Sequence, residues 1–164
     1  MVDVREYSKA MSASGRSRDW RSALTLLRGM PTQIVTPDLV CWSAAISACE
    51  RGGQWQQALS LLDEVLAASV KLDLISFSTT ISACAKGGHW KPALSLLNKM
   101  RAGGLTPDAI ILSAAISACE KVRKWQTAVW LFNEIRELEL EPDQIVFNSA
   151  ISACEKGGQW ERAV

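Results

Sequence analysis

The sequence predicts an all-α fold, a solenoid of stacked helical hairpins, on three observations. One stretch recurs. Ile46-Ser47-Ala48-Cys49 leads to Gly52-Gly53-Gln54-Trp55, and Ile81 to Cys84 leads to Gly87-Gly88-His89-Trp90. Ile116 to Cys119 leads to Trp125, and Ile151 to Cys154 leads to Gly157-Gly158-Gln159-Trp160. Successive copies lie 35 residues apart without a slip, and Trp20 sits the same distance before Trp55. A fixed period of this length marks a solenoid built from one small stacking unit. Each copy also carries two helical apolar patterns separated by a short turn. Finally, 48% of the 164 residues are apolar, which is ample for a folded core.

In the clearest unit, 39–73, Pro37 precedes Asp38, a plausible N-cap. A first helix then runs from Leu39 to about Glu50. At 100° per residue Trp42, Ala45, Ile46 and Cys49 fall on one face, with Val40, Ser43, Ser47 and Arg51 opposite. Gly52-Gly53 stops it, because glycine readily takes the left-handed conformation of a helix end. A second helix runs from about Gln54 to Ala67, with Trp55, Ala58, Leu59, Leu62, Val65 and Leu66 on its apolar face. Each unit is thus a hairpin whose apolar faces need a neighbour.

Units 74–108 and 109–143 repeat this pattern. Pro92 falls in a first helical turn, where a missing N–H is harmless. Leu72 replaces the proline found at Pro37, Pro107 and Pro142, so that helix start is expected to be looser. Val122-Arg123 replaces the glycine pair, so the turn before Trp125 lacks a glycine cap. Unit 4–38 is degenerate: it keeps Trp20, Ala23, Leu26 and Leu27 but reads Met11-Ser12-Ala13-Ser14 in place of Ile-Ser-Ala-Cys. Asp3 matches Asp38, Asp73, Asp108 and Asp143, and unit 144–164 stops inside its second helix. The chain reads as cut from a longer array, whose end repeats offer a surface for protein partners or self-association.

The formal net charge of +1 neither demands nor excludes a polyanionic partner. No apolar run approaches the length of a membrane-spanning helix, so no membrane partner is expected. The first 30 residues are rich in Ser and Arg, like an organelle presequence. Asp3, Glu6 and Asp19 argue against one, and Trp20 and Ala23 already keep the repeat spacing. Cys49, Cys84, Cys119 and Cys154 are equivalent positions of successive repeats. Packed helices sit roughly 8–10 Å apart, beyond the roughly 7 Å that a disulfide tolerates between Cα atoms. With no C-x-x-C pair and His89 the only histidine, zinc lacks its usual ligands, and the cysteines read as small buried apolar residues. No Gly-rich phosphate loop, Ser/His pair or carboxylate cluster appears. No enzyme, cofactor, metal or small-molecule substrate is expected.

A 35-residue helical hairpin closed by Pro-Asp and opened by an apolar-x-aromatic-polar run resembles the pentatricopeptide repeat family. Val40-Cys41-Trp42-Ser43, Ile75-Ser76-Phe77-Ser78, Ile110-Ile111-Leu112-Ser113 and Ile145-Val146-Phe147-Asn148 carry the resemblance. So do Ala58-Leu59, Ala93-Leu94 and Ala128-Val129 in the second helices. The uniform period is similar to the pure class of that family. Tetratricopeptide repeats are similar hairpins with a 34-residue period and a different Trp-Leu-Gly signature. They make a protein-binding helical scaffold the alternative reading.

The resemblance implies a right-handed superhelical solenoid, with first helices lining the concave face. It implies single-stranded RNA read at one base per repeat, in organellar factors of mitochondrion or chloroplast for RNA processing, stability, splicing or translation. On that reading Val40, Ile75, Ile110 and Ile145 look like the side chains that sandwich a base; Arg5 takes that place in the first unit. Ser43, Ser78, Ser113 and Asn148 look like first base-reading residues, with Asp73, Asp108 and Asp143 as the serines' partners. A carboxylate offers two acceptors to the N1–H and N2–H donors of guanine. A short serine leaves room for a purine, where asparagine favours a pyrimidine. Three Ser/Asp pairs therefore predict a run of three guanines, and Ser8 with Asp38 is a weaker fourth pair. Arg16, Arg51, Lys86, Lys121 and Lys156 recur at the end of each first helix, a basic ladder suited to phosphates.

Each feature also has a plainer reading. Serine is common on solvated helix faces, and Pro-Asp starts and caps helices without any ligand. The in-register tryptophans read as core packing rather than base platforms, since Trp55 shares a face with Leu59 and Leu62. A cation in a last turn complements the helix dipole.

Overall fold

The computed structural model describes residues 4–31, 36–68 and 73–159, and among them are nine α-helices and no strand. They are α1 (Val4–Arg16), α2 (Trp20–Gly29), α3 (Leu39–Arg51), α4 (Trp55–Ala67), α5 (Leu74–Lys86), α6 (Trp90–Ala102), α7 (Ala109–Lys121), α8 (Trp125–Glu137) and α9 (Gln144–Lys156). The expected all-α architecture is met. Asp3, Leu72, Trp160 and Val164, each singled out in the sequence, lie outside the described residues.

The chain divides into two compact units, Met1–Ala83 and Cys84–Val164, with the division inside α5. In the first, α1 packs on α2 and α3, and α3 on α2 and α4. In the second, α7 packs on α6, α8 and α9, and α8 on α9. The recurring Ile-Ser-Ala-Cys stretch supplies the cores. Ile46, Ala48 and Cys49 of α3 are buried, as are Ile116, Ala118 and Cys119 of α7. Burying an isoleucine side chain stabilises by about 1.5–3 kcal/mol, so Ile46 and Ile116 each contribute on that scale. Small residues let first helices approach: a Cβ on Gly15 would lie 3.3 Å from Ala48.

The wheel assignments shift in two helices. In α4 the buried set is Ala58, Leu61, Leu62 and Val65; Leu61 joins the expected face, while Leu59 and Leu66, both expected inside, are half-buried and 41% exposed. That set follows i, i+3, i+4, i+7, and Leu66 lies one 100° step past it. In α3 Cys41 is fully buried and Trp42 only half-buried. Burial also pushes the thiols of Cys49, Cys84 and Cys119 up to about 11. They are inert packing groups at neutral pH.

One turn ends every first helix. The amides of Asp19, Gln54, His89, Lys124 and Gln159 donate to the carbonyls of Ser14, Cys49, Cys84, Cys119 and Cys154 at 2.8–2.9 Å. The residue before each of these amides is left-handed: Gly53, Gly88 and Gly158 at φ 70° to 72°, Arg18 at 59° and Arg123 at 58°. The turn before Trp125 therefore keeps its shape without glycine, at the steric cost of a Cβ in the left-handed region. Arg123→Gly is expected to raise stability by about 1 kcal/mol, read as a higher midpoint in denaturant unfolding.

Glycine at 52 has a different cause, since its own φ of −81° suits any residue. A Cβ there would lie 2.6 Å from Cδ1 of Trp20, and one on Gly157 would meet Trp125 in the same way. Each tryptophan is half-buried, its edge resting on the turn of the next hairpin.

Candidate nucleic-acid interface

The first turn of α3, α5, α7 and α9 places a branched aliphatic side chain in solvent. Val40 is 59% exposed, Ile75 66%, Ile110 71% and Ile145 64%. The cause is local: the apolar stripe of each helix turns inward, and these residues fall off it. Three residues further on, Ser43, Ser78 and Ser113 are half-buried and Asn148 is exposed. Within the first unit Val40 and Ser43 sit on α3 and Ile75 and Ser78 on α5. Within the second, Ile110 and Ser113 sit on α7 and Ile145 and Asn148 on α9. Arg5 is exposed at the corresponding place in α1, and Ser8 donates to the Arg5 carbonyl at 3.0 Å.

The aspartates are helix caps. Oδ1 of Asp38, Asp73, Asp108 and Asp143 accepts from the amides of Cys41, Ser76, Ile111 and Val146 at 2.8–2.9 Å. Each satisfies an orphan donor of the helix it precedes. The same bond fixes the carboxylate at the start of one first helix. In the first unit Asp73 is joined to Ser43 of the preceding repeat through one hydroxyl. Ser76 Oγ donates to Asp73 Oδ1 at 2.8 Å and lies 3.1 Å from Ser43 Oγ.

The basic ladder is chemically uneven. Arg16 and Arg51 are exposed and enter no ion pair among the described residues. Together with Ser12, Gly15, Ala44 and Ser47 they line a groove of about 260 Å³ between α1 and α3. Lys121 Nζ instead donates to the carbonyls of Ala85 and Lys86 at 2.9 and 2.8 Å, capping the last turn of α5. Lys156 Nζ pairs with Glu120 at 2.7 Å. Burial alone would raise the Glu120 carboxyl, but bonds from Lys156, Ser152 and Ser149 outweigh it and hold it below the usual carboxylate range. Lys86 is exposed and also has a partner.

Sequence reasoning missed three groups. Ser82 donates to Glu50 at 3.2 Å, and Ser152 to Glu120 at 2.9 Å, so the serine of the recurring stretch ties down an acid 32 residues earlier. The signal was present as a glutamate after Cys49, Cys119 and Cys154. Ser76 stands where Cys41, Ile111 and Val146 stand in three other units and Glu6 in the first, so beyond the degenerate first unit it is the one break in an apolar site. On α8, Trp130 is 54% exposed where Thr25, Ser60 and Ser95 stand elsewhere. It stacks on Arg101, which also pairs with Glu134. Among the described residues no group of three or more His, Cys, Asp or Glu is placed to hold a metal ion, and no helix is long and apolar enough to cross a membrane.

Known proteins share this architecture. The maize pentatricopeptide repeat protein PPR10, solved with an 18-nt psaJ RNA element, superposes with a TM-score of 0.82 at 26% identity, over 99% of this chain and 24% of that one. This chain thus spans about a quarter of PPR10. Nuclear proteinaceous RNase P 2 of A. thaliana matches in fold with a TM-score of 0.85 at 9% identity, covering 99% of this chain and 37% of that chain. The PPR domain of Arabidopsis thaliana protein-only RNase P 1, solved with tRNA, matches with a TM-score of 0.78 at 12% identity, over 94% and 86%. No protein with a curated description matches. The sequence pattern described as "Pentatricopeptide repeat domain" matches residues 60–121 and 95–157, and "PPR repeat" matches 40–70. With the hairpins, their period and these matches in agreement, the chain belongs to the pentatricopeptide repeat family.

Proposed function

We propose that the chain binds single-stranded RNA, one base per repeat, with a run of three guanines preferred. The observation that carries this reading is the exposure of Val40, Ile75, Ile110 and Ile145, each one helical turn before a polar residue. Four branched aliphatic side chains kept in water at one repeat position have no part in the cores. An apolar base face would remove them from water at about 25 cal/mol per Å². Ser43 with Asp73, Ser78 with Asp108 and Ser113 with Asp143 then meet the pairing edges. Ser8 with Asp38 reads weakly behind Arg5, and Asn148 leans to a pyrimidine. PPR10 was solved with RNA and the PPR domain of RNase P 1 with tRNA, which supports the class of ligand.

Arg16 and Arg51 hold phosphate in this reading, since their guanidiniums enter no ion pair among the described residues and flank one groove. Lys86, Lys121 and Lys156 contribute through donors left over from their protein partners. The setting is RNA processing, stability or translation in a mitochondrion or chloroplast.

The test is selection of bound strands from a random RNA pool at near-physiological salt, with the triple variant Ser43→Asn, Ser78→Asn, Ser113→Asn in parallel. The wild type is expected to enrich three guanines and the variant to shift toward uridine, by about tenfold at each base. RNA retained by both proteins without base preference overturns the one-base assignment. No retained RNA overturns RNA binding by this chain, and leaves a protein-binding scaffold.

A further inference from the structure

Three serines occupy the first reading position, yet their protons are not equally available. Ser76 is 1% exposed, one of few buried polar residues. Its hydroxyl has one proton, and that proton goes to Asp73 Oδ1 at 2.8 Å, because a carboxylate only accepts. A hydroxyl that has given its proton to one partner can only accept from another. In the 3.1 Å contact between Ser43 Oγ and Ser76 Oγ, Ser43 is therefore the donor. That uses the single proton of Ser43. Toward the outside Ser43 presents lone pairs alone.

A local cap does not by itself produce this. Asp19 and Ser22 make the same aspartate–serine pair at the start of α2, with bonds of 3.1 and 2.6 Å. What distinguishes Ser76 is the second contact, to the reading serine of the preceding repeat. In the other unit Val146 stands at the place of Ser76. It caps onto Asp143 through its amide alone. Its side chain offers Ser113 neither donor nor acceptor, so Ser113 keeps its proton for a ligand.

We propose that Ser76 is a specificity-determining positioning residue that makes Ser43 an acceptor-only reader, so that the second repeat selects guanine by its N2 amine. This rests on the RNA-binding reading above. A hydroxyl that can donate serves the ring N3 of any purine. A hydroxyl that can only accept needs a donor, and among purines the donor beside N3 is the guanine 2-amino group. Adenine and inosine lack it and leave Ser43 facing an acceptor. Ser113, free to donate or accept, discriminates less.

The test is a guanine-run RNA in which each guanine is replaced singly by inosine, bound to the intact chain in fluorescence anisotropy titrations. The bases facing Ser43 and Ser113 are first assigned as those where Ser43→Asn and Ser113→Asn relax a guanine-to-uridine change. Inosine opposite Ser43 is expected to weaken binding roughly tenfold, against about twofold opposite Ser113. Ser76→Val should lower the first penalty to the second. Val146→Ser, which installs the hydroxyl beside Ser113, should raise the second toward the first, and it decides the matter if Ser76→Val does not fold by circular dichroism. Equal penalties at both bases, unmoved by either variant, overturn the inference while base reading itself stands. If no guanine of the run is read at any repeat, the RNA reading fails and this inference falls with it.

Discussion

Replacing Ile116 by alanine is expected to destabilise the protein by about 2–5 kcal/mol, while replacing Ile110 by alanine leaves stability nearly unchanged. The two isoleucines share one helix, six residues apart, yet Ile116 is fully buried and Ile110 is 71% exposed. Truncating Ile116 leaves a cavity between α7 and the helices packed on it, which relax only in part. Because each repeat leans on its neighbours, the damage should show as an early local transition rather than a uniform shift of the whole melt. Urea unfolding followed by circular dichroism and tryptophan fluorescence separates the two variants. RNA affinity should reverse the order. Ile110→Ala removes apolar surface at the proposed base contact and should weaken binding by about 1–2 kcal/mol. A stable Ile110→Ala protein with unchanged RNA affinity would remove this side chain from the interface.

The second large effect separates the two roles of the aspartates. Asparagine caps a helix about as well as aspartate, so Asp73→Asn, Asp108→Asn and Asp143→Asn together should cost only a few tenths to about 1 kcal/mol each. Preference for guanine should fall by about 1–3 kcal/mol per altered base, because an amide replaces one of two acceptors with a donor. The alanine series should lose both, with about 1 kcal/mol of helix stability per cap. Paired measurement of thermal midpoint and of relative affinity for guanine and adenine runs reads this directly. Asparagine variants that keep their guanine preference would confine the aspartates to capping.

Much of this chain is legible from one dimension. The 35-residue spacing of Trp20, Trp55, Trp90 and Trp125 gave the unit, and Asp38, Asp108 and Asp143 announced helix starts that the structure caps at those residues. The wheel placed Val40 and Ser43 away from Ala45, Ile46 and Cys49, and they are more exposed. These are properties of one helix with its own turns. Backbone sterics and a 3.6-residue period decide them within a few residues.

What the sequence by itself determined is therefore the hairpin, its caps and turns, and the outward position of the aliphatic and polar side chains. Only the tertiary structure decided how those side chains are spent. Among the described residues Arg16 and Arg51 enter no ion pair, whereas Lys121 caps α5 and Lys156 holds Glu120, though all four occupy one repeat position. Ser43 and Ser113 are the same residue at the same place, but only Ser43 meets a hydroxyl, that of Ser76. Gly52 is required by the ring of Trp20, whereas its own backbone conformation suits any residue. Each of these contacts joins residues 32 to 36 positions apart, and no helical period reaches that far. Hydrogen bonds and close packing act over about 3–4 Å, and the stacking of one hairpin on the next decides which atoms come within that range.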